Sequence, residues 1–215
     1  MPSSTGCGSP TPWTTCPSEA AVEDEDAKTA IFGALGKVVR PDTLLTSNTS
    51  SIPIMKLAAV TPGPGRVVGM HFFNPATVLP LVEVIPCELT SDETVQRVHE
   101  FAHDRLGKTI ILAKDRAGFV VNALLIPYLL AAIRMVDAGL ACAEDIDTAM
   151  VAGCAHPMGP LALADLIGLD TTAAVAVSMY EETKEQLYAP PALLLRKVEA
   201  GDLGRKTGRG FFTYH

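Results

Sequence analysis

Apolar residues keep two different periods in the first half of the chain and a single one in the second. Between residues 26 and 38 they recur at helical spacing (Ala27, Ile31, Leu35, Val38), behind the acidic run Glu23-Asp24-Glu25-Asp26. That run complements a helix N-terminus, so the pattern predicts an α-helix. Residues 43–46 form a short buried strand, followed by the polar stretch Ser47-Asn48-Thr49-Ser50-Ser51. Pro53 is suited to the first position of a second helix, with Ser51 or Ile52 near its cap. Residues 66–72 and 79–85 read as two more strands. Only about seven residues join them, too few for a parallel crossover, so they are expected to pair antiparallel. An amphipathic helix over 92–106, capped by Ser91 or Asp92 and stopped by Gly107, leads into a strand over 108–113.

After Asp115-Arg116-Ala117-Gly118 the strand signals vanish and helical patterns run to about residue 198. An α/β part followed by an all-α part predicts a domain boundary near residue 115. The expected organisation is a disordered leader over 1–18, rich in Ser, Thr, Pro and Gly, an α/β domain over 19–114 and a helical domain over 115–215.

Composition narrows the function classes. The chain has 215 residues, 48% hydrophobic and 19% charged, with a net charge of −7. An acidic balance without a basic stripe argues against a nucleic-acid partner. The longest apolar run, 119–136, is broken by Asn122, Pro127 and Arg134, and reads as a buried helix in place of a membrane span. Five cysteines without C-x-x-C spacing, and a start without a signal-peptide pattern, point to reduced thiols in a cytoplasmic protein.

Two features carry chemistry. His71 ends a predicted strand in His71-Phe72-Phe73-Asn74-Pro75, and Glu83 stands twelve residues on inside the apolar run Leu79-Pro80-Leu81-Val82-Glu83-Val84-Ile85. A carboxylate there is costly to bury without an electrostatic partner. An oriented His–Glu pair suits proton transfer; the same pair also suits a purely structural link between strands. Ser50 lies in a loop after a strand, where ligands bind in open α/β sheets, or else it caps a helix. Asn122 is a lone amide in an apolar helical run and needs hydrogen-bond partners. His156-Pro157-Met158-Gly159-Pro160 reads as an interhelix turn with Pro160 at a helix start. The basic, glycine-rich 204–210 segment has no helix after it to hold a phosphate. The chain contains no Gly-x-Gly-x-x-Gly dinucleotide motif.

The runs Ser47-Asn48-Thr49-Ser50-Ser51-Ile52, His71-Phe72-Phe73-Asn74-Pro75, Leu81-Val82-Glu83-Val84 and Gly118-Phe119-Val120-Val121-Asn122 together resemble the short-chain L-3-hydroxyacyl-CoA dehydrogenases. So do the turn at 156–160, Gly168-Leu169-Asp170-Thr171 and the closing Lys206-Thr207-Gly208-Arg209-Gly210-Phe211-Phe212. The likeness is strongest to the bacterial 3-hydroxybutyryl-CoA dehydrogenases and runs from about residue 19 to the C-terminus. It implies a Rossmann domain for NAD or NADP, then a helical domain that forms a homodimer and helps enclose the acyl-CoA. His71 would be the catalytic base and Glu83 its partner, Ser50 and Asn122 would bind substrate, and Glu23, Lys28, Asn48 and Asn74 would lie on the cofactor side. Relatives begin with a strand, a glycine-rich turn and a helix that have no counterpart here, so the Rossmann-like sheet is expected to be incomplete and cofactor binding impaired. Pro80 replaces a basic residue common in relatives. The alternative expectation is a catalytically dead chain kept as a dimerising structural or acyl-CoA-binding protein.

Overall fold

The computed structural model describes residues 18–21 and 23–214, so the expected leader lies outside the described residues except for Ser18. The chain forms two compact units that divide between Arg116 and Ala117.

The first unit is a five-stranded sheet in the order β1 (Ser18–Glu19), β2 (Leu45–Ser47), β3 (Val67–Phe72), β4 (Leu81–Ile85), β5 (Thr109–Leu112). Helix α1 (Glu25–Val38) connects β1 to β2, and α2 (Ile54–Ala59) connects β2 to β3; both connections give parallel pairs. The short β3–β4 link carries no helix, and that pair is antiparallel. Helix α3 (Asp92–Glu100) then returns the chain to β5, parallel to β4. The central strands are buried along nearly their whole length, as expected of a sheet covered on both faces. One face packs Val68, Met70, Val82 and Val84 against Val98 and Ala102. The other receives α2: a Cβ on Gly69 would sit 2.9 Å from both Ile54 Cδ1 and Ile85 Cβ, so glycine there is what lets the helix approach.

Several boundaries differ from the sequence pattern for identifiable reasons. Pro53 is the cap of α2 and Ile54 its first residue; the free N–H groups of Ile54 and Met55 bond to Asp115 Oδ1 at 2.7 Å and Oδ2 at 2.8 Å. The predicted strand over 66–72 loses its first residue to a 3₁₀ turn, Pro64–Arg66. The buried Arg66 guanidinium instead bonds the carbonyls of Gly36, Arg40 and Pro62 at the end of α1 and in the loop after α2. Ser91 caps α3 as expected, but the α-helical geometry stops at Glu100 and a wider π-helical turn, Phe101–Arg105, completes the predicted element. Gly107 then turns the chain with φ 62°.

The second unit is helical: α4 (Val121–Asp137), α5 (Ala143–Cys154), α6 (Pro160–Ile167), α7 (Leu169–Thr183) and α8 (Ala192–Glu199). Leu129, Leu130, Ile133, Leu161, Leu169, Ala176 and Leu194 form its core. No single helix among the described residues is long and apolar enough to cross a membrane. Pro127 sits inside α4, and the helix continues through it. Buried carboxylates secure α6. Asp147 accepts from the N–H groups of Leu161 and Ala162, both at 2.8 Å. The fully buried Asp165 accepts from Phe211 N, Phe212 N and the Tyr214 hydroxyl. Gly204 and Gly210 press directly on Asp165, which accounts for the glycines in the C-terminal segment without a phosphate.

Candidate active site

Strands β1, β2 and β3 run the same way, so the segments that leave their C-terminal ends gather along one edge of the sheet. This is where open α/β sheets place ligands. His71 is the next-to-last residue of β3, and the antiparallel register sets it directly opposite Glu83 in the middle of β4. Residues opposite one another share a face, and the imidazole Nδ1 lies 2.7 Å from Glu83 Oε2. Glu83 is fully buried and His71 is 7% exposed. A buried carboxylate that accepts the Nδ1 proton fixes the ring's tautomer, leaves the Nε2 lone pair for a second partner, and stabilises the ring once it is protonated. Phe73 packs edge-on against the imidazole with centroids 4.7 Å apart.

The loop after β2 is tied to this strand pair. Asn48 Oδ1 accepts from Phe72 N at 2.8 Å, so its amide oxygen holds the end of β3. Ser50, half-buried, does not cap α2; its N–H donates to Glu23 Oε1 at 2.9 Å. The same oxygen accepts from Ser51 N at 3.1 Å, from Ser51 Oγ at 3.0 Å and from Thr49 Oγ1. Burial works against ionisation of Glu23, yet the hydrogen bonds from Thr49, Ser50 and Ser51, with the Lys28 charge, outweigh it and hold the carboxyl below its ordinary range.

Lys28 is 1% exposed. Its ammonium donates to Glu19 Oε1 at 2.7 Å and Oε2 at 2.9 Å and to Ala21 O at 3.2 Å, with Glu23 Oε2 3.6 Å away. Asn74 lies exposed in the loop between β3 and β4. Asn122 belongs to the second unit, half-buried in the first turn of α4. Five of the eight anticipated residues (His71, Glu83, Asn48, Ser50, Glu23) therefore join one hydrogen-bonded edge, with Lys28 behind Glu23. Sequence reasoning missed Glu19 and Asp115. Glu19 left little signal, because it stands between Ser18 and Ala20 at the end of a polar run; Asp115 left none, because its partners lie 60 and 61 residues away.

The family model for the 3-hydroxyacyl-CoA dehydrogenase NAD binding domain matches residues 15–116, and that for the 3-hydroxyacyl-CoA dehydrogenase C-terminal domain matches residues 118–214. The chain belongs to the 3-hydroxyacyl-CoA dehydrogenase family. It is 60% identical over 197 residues to a 3-hydroxybutyryl-CoA dehydrogenase of Mycobacterium tuberculosis, covering 91% of this chain and 69% of that protein. A probable 3-hydroxybutyryl-CoA dehydrogenase of Bacillus subtilis is 47% identical, covering 91% of this chain and 68% of its own length. Among solved structures, M. tuberculosis FadB2 superposes with a TM-score of 0.90 at 59% identity, over 92% of this chain and 70% of that one. The (S)-3-hydroxybutyryl-CoA dehydrogenase PaaH1 of Ralstonia eutropha gives 0.88 at 47%, with the same two coverages.

Membership of this dehydrogenase family brings NAD(H) to a domain whose side chains can be tested against it. The edge offers a carboxylate and hydroxyls, which suit the hydroxyl and amide groups of a nicotinamide riboside. The helix N-termini that follow β1 and β2 are taken by carboxylates, Asp24 on α1 and Asp115 on α2. Neither is open to a phosphate. Among the described residues no group of three or more His, Cys, Asp or Glu could hold a metal ion.

Proposed function

We propose that this protein oxidises an (S)-3-hydroxyacyl-CoA, of 3-hydroxybutyryl length, to the 3-oxoacyl-CoA with NAD, or runs the reverse reduction. The observation that carries the reading is the buried His71–Glu83 pair at the ligand-binding edge of the sheet, with Nδ1 2.7 Å from the carboxylate. His71 takes the proton of the 3-hydroxyl on Nε2, and Glu83 balances the charge that the ring gains. NAD, when bound, supplies the acceptor for the hydride of C3. Ser50 and Asn122 bond the oxygen and thioester region of the substrate, while Glu23, Asn48 and Asn74 serve the cofactor side. Lys28 contributes from behind, through Glu23.

The family likeness also supports a homodimer formed through the helical unit. Exposed apolar side chains there, including Leu124 at 74% and Leu140 at 72%, supply surface for it. The free thiols Cys87, Cys142 and Cys154 suit a reducing cytoplasm.

The test is acetoacetyl-CoA-dependent oxidation of NADH by the purified, folded chain. Turnover that disappears in His71→Gln is the expected result. A folded wild-type chain without turnover would overturn the activity for this protein.

A further inference from the structure

Behind the site lies a buried charge cluster that proton transfer does not use. Glu19 is 8% exposed on β1, and both its oxygens are fully engaged. Oε1 accepts from Lys28 Nζ and from Ala21 N; Oε2 accepts from Lys28 Nζ and, at 2.7 Å, from the Ser47 hydroxyl at the end of β2. Lys28 in turn stands 3.6 Å from Glu23 Oε2, and the other Glu23 oxygen gathers Thr49, Ser50 and Ser51. The series is acid, base, acid, then loop. A lysine 1% exposed keeps its charge in place only beside a carboxylate that is itself satisfied. Glu19 meets that requirement, which leaves Glu23 free to spend one oxygen entirely on the loop.

We propose that Glu19 is a positioning residue. It anchors Lys28, and through Lys28 and Glu23 it fixes the Thr49-Ser50-Ser51 loop that presents Ser50 to the substrate. This rests on the dehydrogenase reading for the role of Ser50, but the relay itself is a property of the free protein. Without the Glu19 charge, Lys28 loses its anchor, and Glu23 loses the fixed ammonium 3.6 Å away that holds its carboxylate in place under the loop amides.

Amide hydrogen exchange resolved at Ser50 and Ser51 tests the relay without any ligand. Glu19→Gln is expected to speed exchange at both amides about tenfold, the loss of roughly one hydrogen bond, while amides in β3 and β4 keep their protection. Lys28→Met, which removes the middle of the series, is expected to do the same. Unchanged exchange at Ser50 and Ser51 in the two variants would overturn the proposal. So would faster exchange spread evenly over the sheet, the mark of a residue that only stabilises the fold. A parallel titration with acetoacetyl-CoA separates this from the functional reading: a wild-type chain that binds no acyl-CoA ends the dehydrogenase assignment of the loop, and the exchange data still decide the relay. If the wild type binds, weaker binding by Glu19→Gln at unchanged thermal stability is the expected companion result.

Discussion

His71 and Glu83 illustrate how little room a single residue has at this site. A fully buried carboxylate needs a polar partner, and the imidazole directly opposite on β3 is one. Exchanging the imidazole for an amide of similar size leaves a hydrogen bond but removes the base. His71→Gln is therefore expected to lower kcat by about 10²–10⁴-fold, the usual worth of a positioned acid/base, with the melting temperature little changed. Steady-state kinetics beside a thermal melt make the check, and a kcat within a few-fold of wild type would remove His71 from the chemistry. Glu23 gives a pH signature. Its folded-state pKa is depressed below the ordinary 4.5, so the folded chain binds fewer protons than the unfolded chain in the interval between the two values. The stability it contributes is fully present above 4.5 and is lost as pH falls through the folded value. Urea midpoints measured against pH should fall more steeply below 4.5 for wild type than for Glu23→Gln, with the two curves converging at the acid end.

At the scale of elements, periodicity was a good guide to existence and type and a poorer one to ends. The antiparallel pairing of β3 with β4 was legible because a short connection permits nothing else. The start of α2 was not, because a helix of six residues draws its stability from outside itself. Asp115 supplies its cap from across the unit, and in sequence that residue looked only like part of a domain boundary. Asp115→Ala should cost about 1–2 kcal/mol, the worth of an N-cap, read as a lowered urea midpoint at an unchanged slope. A midpoint equal to wild type would show that α2 holds its first turn unaided. The change from α to π geometry at Phe101 likewise has no mark in the hydrophobic pattern, since the helical face continues through it.

For the molecule as a whole, the change from mixed periods to one period near residue 115 corresponds to two units, each with its own core. A dimer formed through the helical unit should sediment at twice the 22.7 kDa chain mass. A single species at the chain mass over the working concentration range would exclude it. The sequence by itself determined the order of α/β and helical parts and the identity of the His–Glu pair, because these rest on local periodicity and on residue types whose burial is costly; the family was legible through the resemblance of its motifs. Only the tertiary structure decided what the other polar groups do. It turned Lys28 inward to Glu19, gave the Glu23 oxygen to the Ser50 loop, and spent Asp115, Asp147 and Asp165 on distant backbone N–H groups. Such partnerships depend on which unsatisfied donors the fold brings within about 3 Å. Residues that meet across a sheet or beneath a helix start carry no fixed spacing along the chain.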